Sequence, residues 1–183
     1  YDFQGVFSAV FTFATVDLSA FYFDIRKDAL YCDGDTARRK AARTVLDILF
    51  HRLTKWLAPV LVFTMEEVWL ERFPGDASSV HLVDFDETPS DWRNDALAAK
   101  WATVRSVRRV VTGALEVERT AKVIGASLEA APTVYVTAET AKLLETVAFD
   151  DLSITSGIYV STDAAPAGAF TSDDVADVAV VFA

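Results

Sequence analysis

The sequence is poor in the residues that usually build metal or disulfide sites. It has a single cysteine, Cys32, and two histidines, His51 and His81, which lie far apart in the chain. One cysteine cannot form an intramolecular disulfide or a cysteine-based zinc site, and neither histidine stands in a recognised ligand pattern. The sequence therefore predicts no metal site in this chain, and its cysteine usage fits a reducing, cytoplasmic location.

Motifs that would indicate catalysis are missing as well. No G-x-x-x-x-G-K-[ST] or G-x-G-x-x-G loop is present to cradle a phosphate group, and no serine has the G-x-S-x-G context of a nucleophile. No uninterrupted apolar run approaches the ~20 residues that cross a bilayer. We therefore expect no catalytic residue, no cofactor and no membrane partner for this chain.

The sequence is instead rich in apolar and aromatic residues. Hydrophobic residues make up 52% of its 183 positions, and it contains 13 Phe and 4 Trp. A chain of this length and composition can bury a sizeable core, so we expect it to be soluble and globular. It opens with Tyr1 rather than Met, inside a helical pattern and without a signal peptide, which predicts a piece of a longer protein.

The first thirty or so residues show two helical patterns. Residues 1–14 carry apolar side chains at i, i+3, i+4 and i+7, which predicts a helix that packs one face into the core. Thr15 and Asp17 are candidates for the N-cap of a second helix. We expect that helix to run from about residue 18 to residue 30.

The third helical pattern is the most basic part of the chain. An acidic turn at residues 33–35 precedes it, Thr36 or Asp35 is its N-cap, and the pattern continues to Leu57. One face is a broad apolar stripe, and cations step along the opposite face. Helical spacing predicts that Trp56 and the later Trp69 are buried.

Further along, Thr64 and Glu67 match a capping box, which predicts the start of a short helix. Residues 74–95 are predicted to be a long ordered connection because they contain Pro, Gly and many acids. A long helix is then predicted for residues 95–122, with a buried stripe of Trp101, Val104, Val107, Val111 and Leu115. Gly113 near its centre costs about 1 kcal/mol relative to Ala unless packing compensates.

After Gly125 the pattern changes from helical to mixed. Short strands are predicted around an intervening helix at residues 138–147, and they cover residues 133–136, 152–155, 158–160 and 178–182. We therefore predict a mainly α fold, in which an antiparallel helical bundle at residues 1–125 is followed by a small α+β module at residues 126–183. The module is small enough that we expect it to dock on the bundle.

Charge is distributed unevenly along the chain. The net charge is −10, yet residues 26–55 carry +4 and residues 100–122 carry +4. Cations at the start of a helix oppose the helix dipole, and four of them cluster at the start of the third helix: Arg38, Arg39, Lys40 and Arg43. Two explanations are open. The cluster is compensated either by salt bridges to Asp33 and Asp35 or by a bound polyanion.

Several blocks of the sequence resemble a known family. LSAFYFDIRKDALY, RRKAARTVLDILFHRLTKWLAPVLVFTMEEVW and SVHLVDF look like the anticodon-binding helical region of class Ia aminoacyl-tRNA synthetases. EVERTAKVIGASLEAAPTVYV is most similar to bacterial isoleucyl-tRNA synthetase. Ala29 stands where relatives commonly carry Arg, and Val62 replaces a frequent Pro.

The resemblance implies that the chain binds the anticodon stem and loop of an isoleucine tRNA. It also implies that the chain contacts the remaining domains of the same synthetase and does not bind DNA. The complete ligase would use ATP with Mg and carry a C-terminal zinc. The H-I-G-H and K-M-S-K-S signatures are absent here, so we expect this chain alone to be inactive.

The resemblance and the charge pattern together suggest residues for RNA contact. Cations would neutralise phosphates and tyrosines would stack on unpaired bases. We rank the cations as follows: first Arg38, Arg39, Lys40 and Arg43; then Arg26, Lys27, Arg52 and Lys55; then Arg105, Arg108 and Arg109. Tyr22 and Tyr31 are the stacking candidates. The alternative is a purely structural brace in a class Ia synthetase, of valyl or leucyl type as an option, with little RNA contact.

Overall fold

The computed structural model describes residues 2–182, which divide into two compact units. The first unit ends at Ser90 and the second begins at Asp91. The chain is mainly helical, with a small four-stranded sheet near its C-terminus. This agrees with the predicted fold class at that level of detail, while the domain boundary predicted near residue 125 stays a prediction.

The first unit opens with one long helical stretch. Helix α1, Phe3–Thr12, continues without a break through a π-helical segment, Phe13–Phe23, and the short helix α2 follows at Lys27–Tyr31. The predicted helix start near residue 18 is therefore wrong. The physical reason is that the Thr15 hydroxyl donates to the Phe11 carbonyl oxygen at 2.8 Å, a bond inside the helix rather than at a cap.

The apolar face of α1 is exposed, so the predicted core-packing role of residues 1–14 is wrong for the described residues. Phe3 is 69% exposed and Phe11 is 59% exposed. The stretch Phe3–Phe23 has 21 residues and a mean hydropathy of 1.6, so by length and composition it could cross a membrane. One helix of this kind is weak evidence for a span, because apolar helices of soluble proteins and signal sequences share these properties.

Helices α3, Ala37–Leu57, and α4, Val62–Arg72, form the rest of the regular structure in this unit. The Thr36 hydroxyl accepts from the Arg39 amide at 3.1 Å, which confirms Thr36 as the N-cap. The predicted capping box at Thr64 is wrong because α4 begins two residues earlier. Glu66 instead accepts from the Val80 amide at 2.9 Å and so fixes the following connection to α4.

An aromatic cluster forms the core between α3 and α4. Trp69 is buried, as predicted, and packs with Ala58 and Val80, while Phe50 and Phe73 lie against it. The ring centroids of Trp69 and Phe73 are 4.8 Å apart. The prediction that Trp56 is also buried is wrong, because its side chain on α3 is 41% exposed.

The connection that follows contains two 3₁₀ turns, Val80–Leu82 and Ser90–Trp92. In the second unit, helix α5 spans Asp95–Thr120, and the Asn94 side chain caps it by accepting from the Leu97 amide at 2.9 Å. Its buried face includes the predicted Val104, Val107, Val111 and Leu115. Periodicity alone identified this face correctly.

The sheet of the second unit has the strand order β2-β1-β4-β3. The strands are β1, Thr133–Tyr135; β2, Tyr159–Ser161; β3, Phe170–Ser172; and β4, Val175–Val181. β1 is parallel to β2 and antiparallel to β4, and β4 is antiparallel to β3. Helices α6, Ala138–Leu144, and α7, Phe149–Ser153, lie between β1 and β2 in the chain, and α5 packs against β3 and β4.

One predicted strand is wrong, and one observed strand was not predicted. Leu152 and Ser153 are the last residues of α7, and Ile154 caps the helix with a left-handed φ of 57°. β3 has only three residues and follows Pro166 and Gly168, so it lacks the length from which alternation could be recognised.

Gly113 permits a close approach between α5 and β3. A Cβ atom at this position would lie 3.2 Å from Cζ of Phe170. We expect Gly113→Ala to lower the free energy of unfolding by about 1 kcal/mol, since overpacking outweighs the gain in helix propensity. In a Phe170→Ala background the same change should stabilise by about 1 kcal/mol. Chemical denaturation of the four variants checks this, and an equal effect in both backgrounds would contradict it.

Candidate nucleic-acid interface

Two of the four cations at the start of α3 are paired with carboxylates of the acidic turn before it. Arg38 Nε lies 3.0 Å from Asp33 Oδ2, and Arg39 Nη1 donates to the Asp33 carbonyl oxygen at 3.1 Å. Lys40 Nζ lies 2.9 Å from Asp35 Oδ2, and both of these side chains are exposed. The turn acids therefore compensate the conflict with the helix dipole. Exposed pairs of this kind are weak, so a phosphate can compete for the cations.

Arg43 differs from the rest of that cluster. It is exposed one turn further along α3, and among residues 2–182 its guanidinium group has no acidic partner. A cation without a local partner contributes its full charge to a bound anion because no existing pair has to be broken first. Arg43 is therefore the cation of this cluster that is most available to a polyanion.

A groove between α3 and α4 brings Arg43 together with other charged residues. Its volume is ≈ 660 Å³, and its lining is mixed in character: Lys40, Arg43, Thr44, Leu46, Asp47, Phe50 and Arg72. Arg72 comes from the last turn of α4 and forms an ion pair with Asp47. Its Cζ atom also lies 4.6 Å from the centre of the Phe50 ring, which is a cation–π contact.

The sequence reasoning missed Arg72. No local pattern marks it, because it is one basic residue at the end of an otherwise acidic and apolar helix. The short turn between α3 and α4 could have indicated the contact between Arg72 and α3, since helices joined by few residues pack as neighbours. Such packing brings the last turn of α4 beside the first half of α3.

The remaining predicted cations of α2 and its approach already have neighbours in the chain. Lys27 Nζ lies 2.6 Å from Asp24, and this hydrogen bond raises the pKa of Lys27. The Arg26 guanidinium carbon lies 5.8 Å from the centre of the Tyr22 ring. Tyr22 is therefore half-buried against a cation, whereas Tyr31 is 81% exposed and can accept a stacked base.

Arg52 and Lys55 bind the connection that follows α4, and we call these two residues with Asp86 the clamp. Lys55 is only 8% exposed, and its Nζ atom lies 2.9 Å from Asp86 Oδ1. Arg52 donates to the carbonyl oxygens of Asp86 at 3.2 Å and Glu87 at 3.0 Å. Together they hold the connection after α4 against α3. In this geometry their donors point to the chain itself, and their predicted contact with RNA stays a prediction.

The cations of α5 belong to the second unit. Arg105 and Arg109 are exposed one turn apart, whereas Arg108 Nε donates to the Leu152 carbonyl oxygen at 2.5 Å and so ties α5 to α7. Arg109 has no acidic partner among the described residues, as for Arg43. RNA contact by these three residues stays a prediction.

Neither histidine is placed for metal binding. His51 Nε2 lies 4.0 Å from Asp47, with its ring among those of the aromatic cluster, and His81 Nε2 lies 3.2 Å from the Val62 carbonyl oxygen. Within residues 2–182 no three His, Cys, Asp or Glu side chains are grouped to hold a metal ion. The residues present do not fit the zinc or magnesium that the resemblance implies for a complete ligase.

Sequence similarity to known proteins extends over the whole chain. A family model described as the anticodon-binding domain of tRNA ligase matches residues 1–135. A protein named isoleucine–tRNA ligase from Ruegeria pomeroyi is 70% identical over 183 residues, which is 100% of this chain and 19% of that protein. Proteins of the same name from Brucella abortus biovar 1 and Mesorhizobium japonicum are 57% and 55% identical over 99% of this chain. The chain spans about a fifth of the length of these relatives.

The clamp predicts an acid-dependent loss of stability. The hydrogen bond from Lys55 holds the pKa of Asp86 below its usual range. A carboxyl group with a lowered folded-state pKa stabilises the fold above its unfolded pKa, and this contribution is lost as the pH falls through the folded value. We expect Asp86→Asn to cost about 1 kcal/mol at pH 7 and clearly less at about pH 3.

Chemical denaturation at the two pH values measures this effect. Lys40→Ala is the matched control, because it removes one partner of an exposed pair and should cost less than about 0.5 kcal/mol. A cost for Asp86→Asn that does not change with pH would contradict the assignment.

Proposed function

Because this chain belongs to the anticodon-binding domain family of tRNA ligases, we propose that it is the part of an isoleucine–tRNA ligase that binds the anticodon stem and loop of an isoleucine tRNA. The family match spans both the basic helix α3 and the long helix α5. High identity to proteins named isoleucine–tRNA ligase over the entire chain favours this amino acid over the valyl and leucyl alternatives.

The observation that carries the proposal is the position of Arg43. It is an exposed cation without an acidic partner among the described residues, and it lines the same groove as Lys40 and Arg72. Phosphate oxygens of an RNA backbone provide the negative charge that this edge of the groove lacks. Arg43 and Lys40 would donate to those oxygens. The exposed pair with Asp35 can be exchanged for a phosphate at little cost.

The other basic residues would contribute to a lesser extent. Arg38 and Arg39 would share their donors between Asp33 and RNA, and the exposed side chains of Lys27, Arg105 and Arg109 would add to the positive potential. Tyr31 is the better placed of the two tyrosines for stacking on an unpaired base. A brace without RNA contact would leave the exposed and unpaired Arg43 without a role.

The chemistry of the complete ligase would lie in other parts of the protein. The complete ligase would activate isoleucine with ATP and transfer it to tRNA, while this chain would position the tRNA. We place that protein in the cytoplasm, because aminoacylated tRNA is consumed in translation there.

We also propose a finer description of the fold within the complete protein. The helices of the first unit would form part of an antiparallel bundle, and the exposed apolar face of α1 would pack against further helices of the same polypeptide. The domain boundary would lie near residue 125, between α5 and the first strand. The C-terminal module would then continue toward the remaining domains.

The test is the tRNA affinity of an Arg43→Ala variant of the complete protein. We expect the dissociation constant for isoleucine tRNA to rise about five- to tenfold and the salt slope to fall by about 1, since one phosphate contact is lost. Isoleucine-dependent ATP–pyrophosphate exchange should not change.

Arg93→Ala provides the matched control. Arg93 is also an exposed arginine, and its side chain pairs with Asp95 outside the groove, so this variant should bind tRNA like the parent. Equal affinity and equal salt dependence of Arg43→Ala and the parent would show that Arg43 is only a solvated surface residue.

A further inference from the structure

Arg72 is held in an unusually well-defined position for a surface arginine. Its Cζ atom lies 4.6 Å from the centre of the Phe50 ring and 5.2 Å from that of Phe73. Its terminal nitrogen forms an ion pair with Asp47, yet its side chain is still 41% exposed. The guanidinium group is thus supported by aromatic rings and oriented by a carboxylate, while part of it remains open to a ligand.

A flat guanidinium group in this arrangement is suited to stacking. Unpaired RNA bases stack on arginine planes as they do on aromatic rings, and lysine cannot replace arginine in this role because its charge is not planar. Since Arg72 already packs on Phe50, little further side-chain entropy is lost when a base binds to it.

The surroundings of Arg72 separate into a charged and an apolar side. On one side is the groove of ≈ 660 Å³ that contains Lys40 and Arg43. On the other is a recess of ≈ 520 Å³ with a mainly apolar surface, to which Phe50, Glu67, Val68 and Glu71 contribute along with Arg72. An occupant that reaches across both has an anionic part and a flat apolar part, which is the chemistry of a nucleotide.

Asp47 distinguishes a nucleotide from a bare phosphate. Its carboxylate lines the groove and would repel a phosphate group placed beside it. The same oxygens accept hydrogen bonds from the amino and imino groups of bases or from a ribose 2′-hydroxyl group. A phosphate would therefore sit toward Lys40 and Arg43, away from Asp47.

From this geometry we infer that the α3–α4 groove binds one unstacked nucleotide of the anticodon loop, with its base on Arg72, a donor group on Asp47 and its phosphate at Lys40 and Arg43. The inference rests on the proposed function and adds a base-binding residue to it. The stacking surface is then Arg72, in addition to the exposed Tyr31.

The experiment uses the complete ligase and the isolated anticodon stem-loop of isoleucine tRNA as the probe. We expect Arg72→Lys and Arg72→Ala each to weaken binding about tenfold, because a stacked base is lost in both. Arg43→Lys retains a charge at the phosphate and should weaken binding less than threefold. Thermal unfolding of each variant confirms that the fold is intact, and Arg72→Lys retains the charge beside Asp47 if Arg72→Ala fails to fold.

Stem-loops that each lack a single loop base identify the stacked position. At one loop position, removal of the base should weaken binding to the parent protein about tenfold and should have no effect on Arg72→Lys. If Arg72→Lys binds all stem-loops as the parent does, Arg72 does not stack on a base, while an effect of Arg43→Ala would still support RNA binding. If neither Arg72 nor Arg43 variants change the affinity, the proposed function fails together with this inference.

Discussion

Internal pairing of basic side chains with nearby acids is the constraint on which the surface of the first unit depends. The chain has 27 acidic residues and 17 lysines and arginines. In the first unit, ion pairs with acids are formed by Lys27, Arg38, Lys40, Lys55 and Arg72. The fold depends most on the pair between the buried Lys55 and Asp86, because a buried ammonium group without a counter-ion would be strongly destabilising. Together with Arg52 it holds the connection after α4 on α3 and leaves the opposite part of α3 uncovered.

The same constraint explains how an acidic protein can bind an anionic ligand. Binding depends on which cations are available and not on how many there are. Arg38 and Lys40 pair with the acids of the preceding turn, and Arg39 donates to the Asp33 carbonyl oxygen. Arg43 has no acidic partner within residues 2–182. On the proposed function, the acids of the unit would restrict a polyanion to the groove at Arg43. Their repulsion elsewhere would orient the bound RNA as well as weaken its non-specific binding.

Local patterns predicted much of the fold, and contacts between distant residues account for the errors. The cap at Thr36 and the buried face of α5 follow from neighbouring residues alone, and both are confirmed. The predicted capping box at Thr64 and Glu67 failed because α4 already begins at Val62, and the neighbouring Glu66 accepts from the Val80 amide, fourteen positions away in the chain. A pattern can suggest that a carboxylate caps a helix, but it cannot show which of several amides that carboxylate reaches.

The same limit applies to the candidate site. Composition located the positive charge in α3, but the partners of Arg52 and Lys55 lie in the connection after α4, and Arg72 joins the groove from another helix. The sequence therefore ranked Lys55 with freely exposed cations and omitted Arg72. Helix packing accounts for both, because the depth of Lys55 and the approach of Arg72 to α3 depend on how whole helices pack and not on spacing along one of them.

The availability of the α3 cations can be measured directly. Lysines of the complete protein can be acetylated with and without isoleucine tRNA, and the extent of modification can be read by mass spectrometry. The structure predicts that tRNA protects Lys40, that Lys55 reacts poorly in both conditions because it is buried and paired, and that the exposed Lys142 on α6 reacts equally in both. Equal acetylation of Lys40 with and without tRNA would contradict the account.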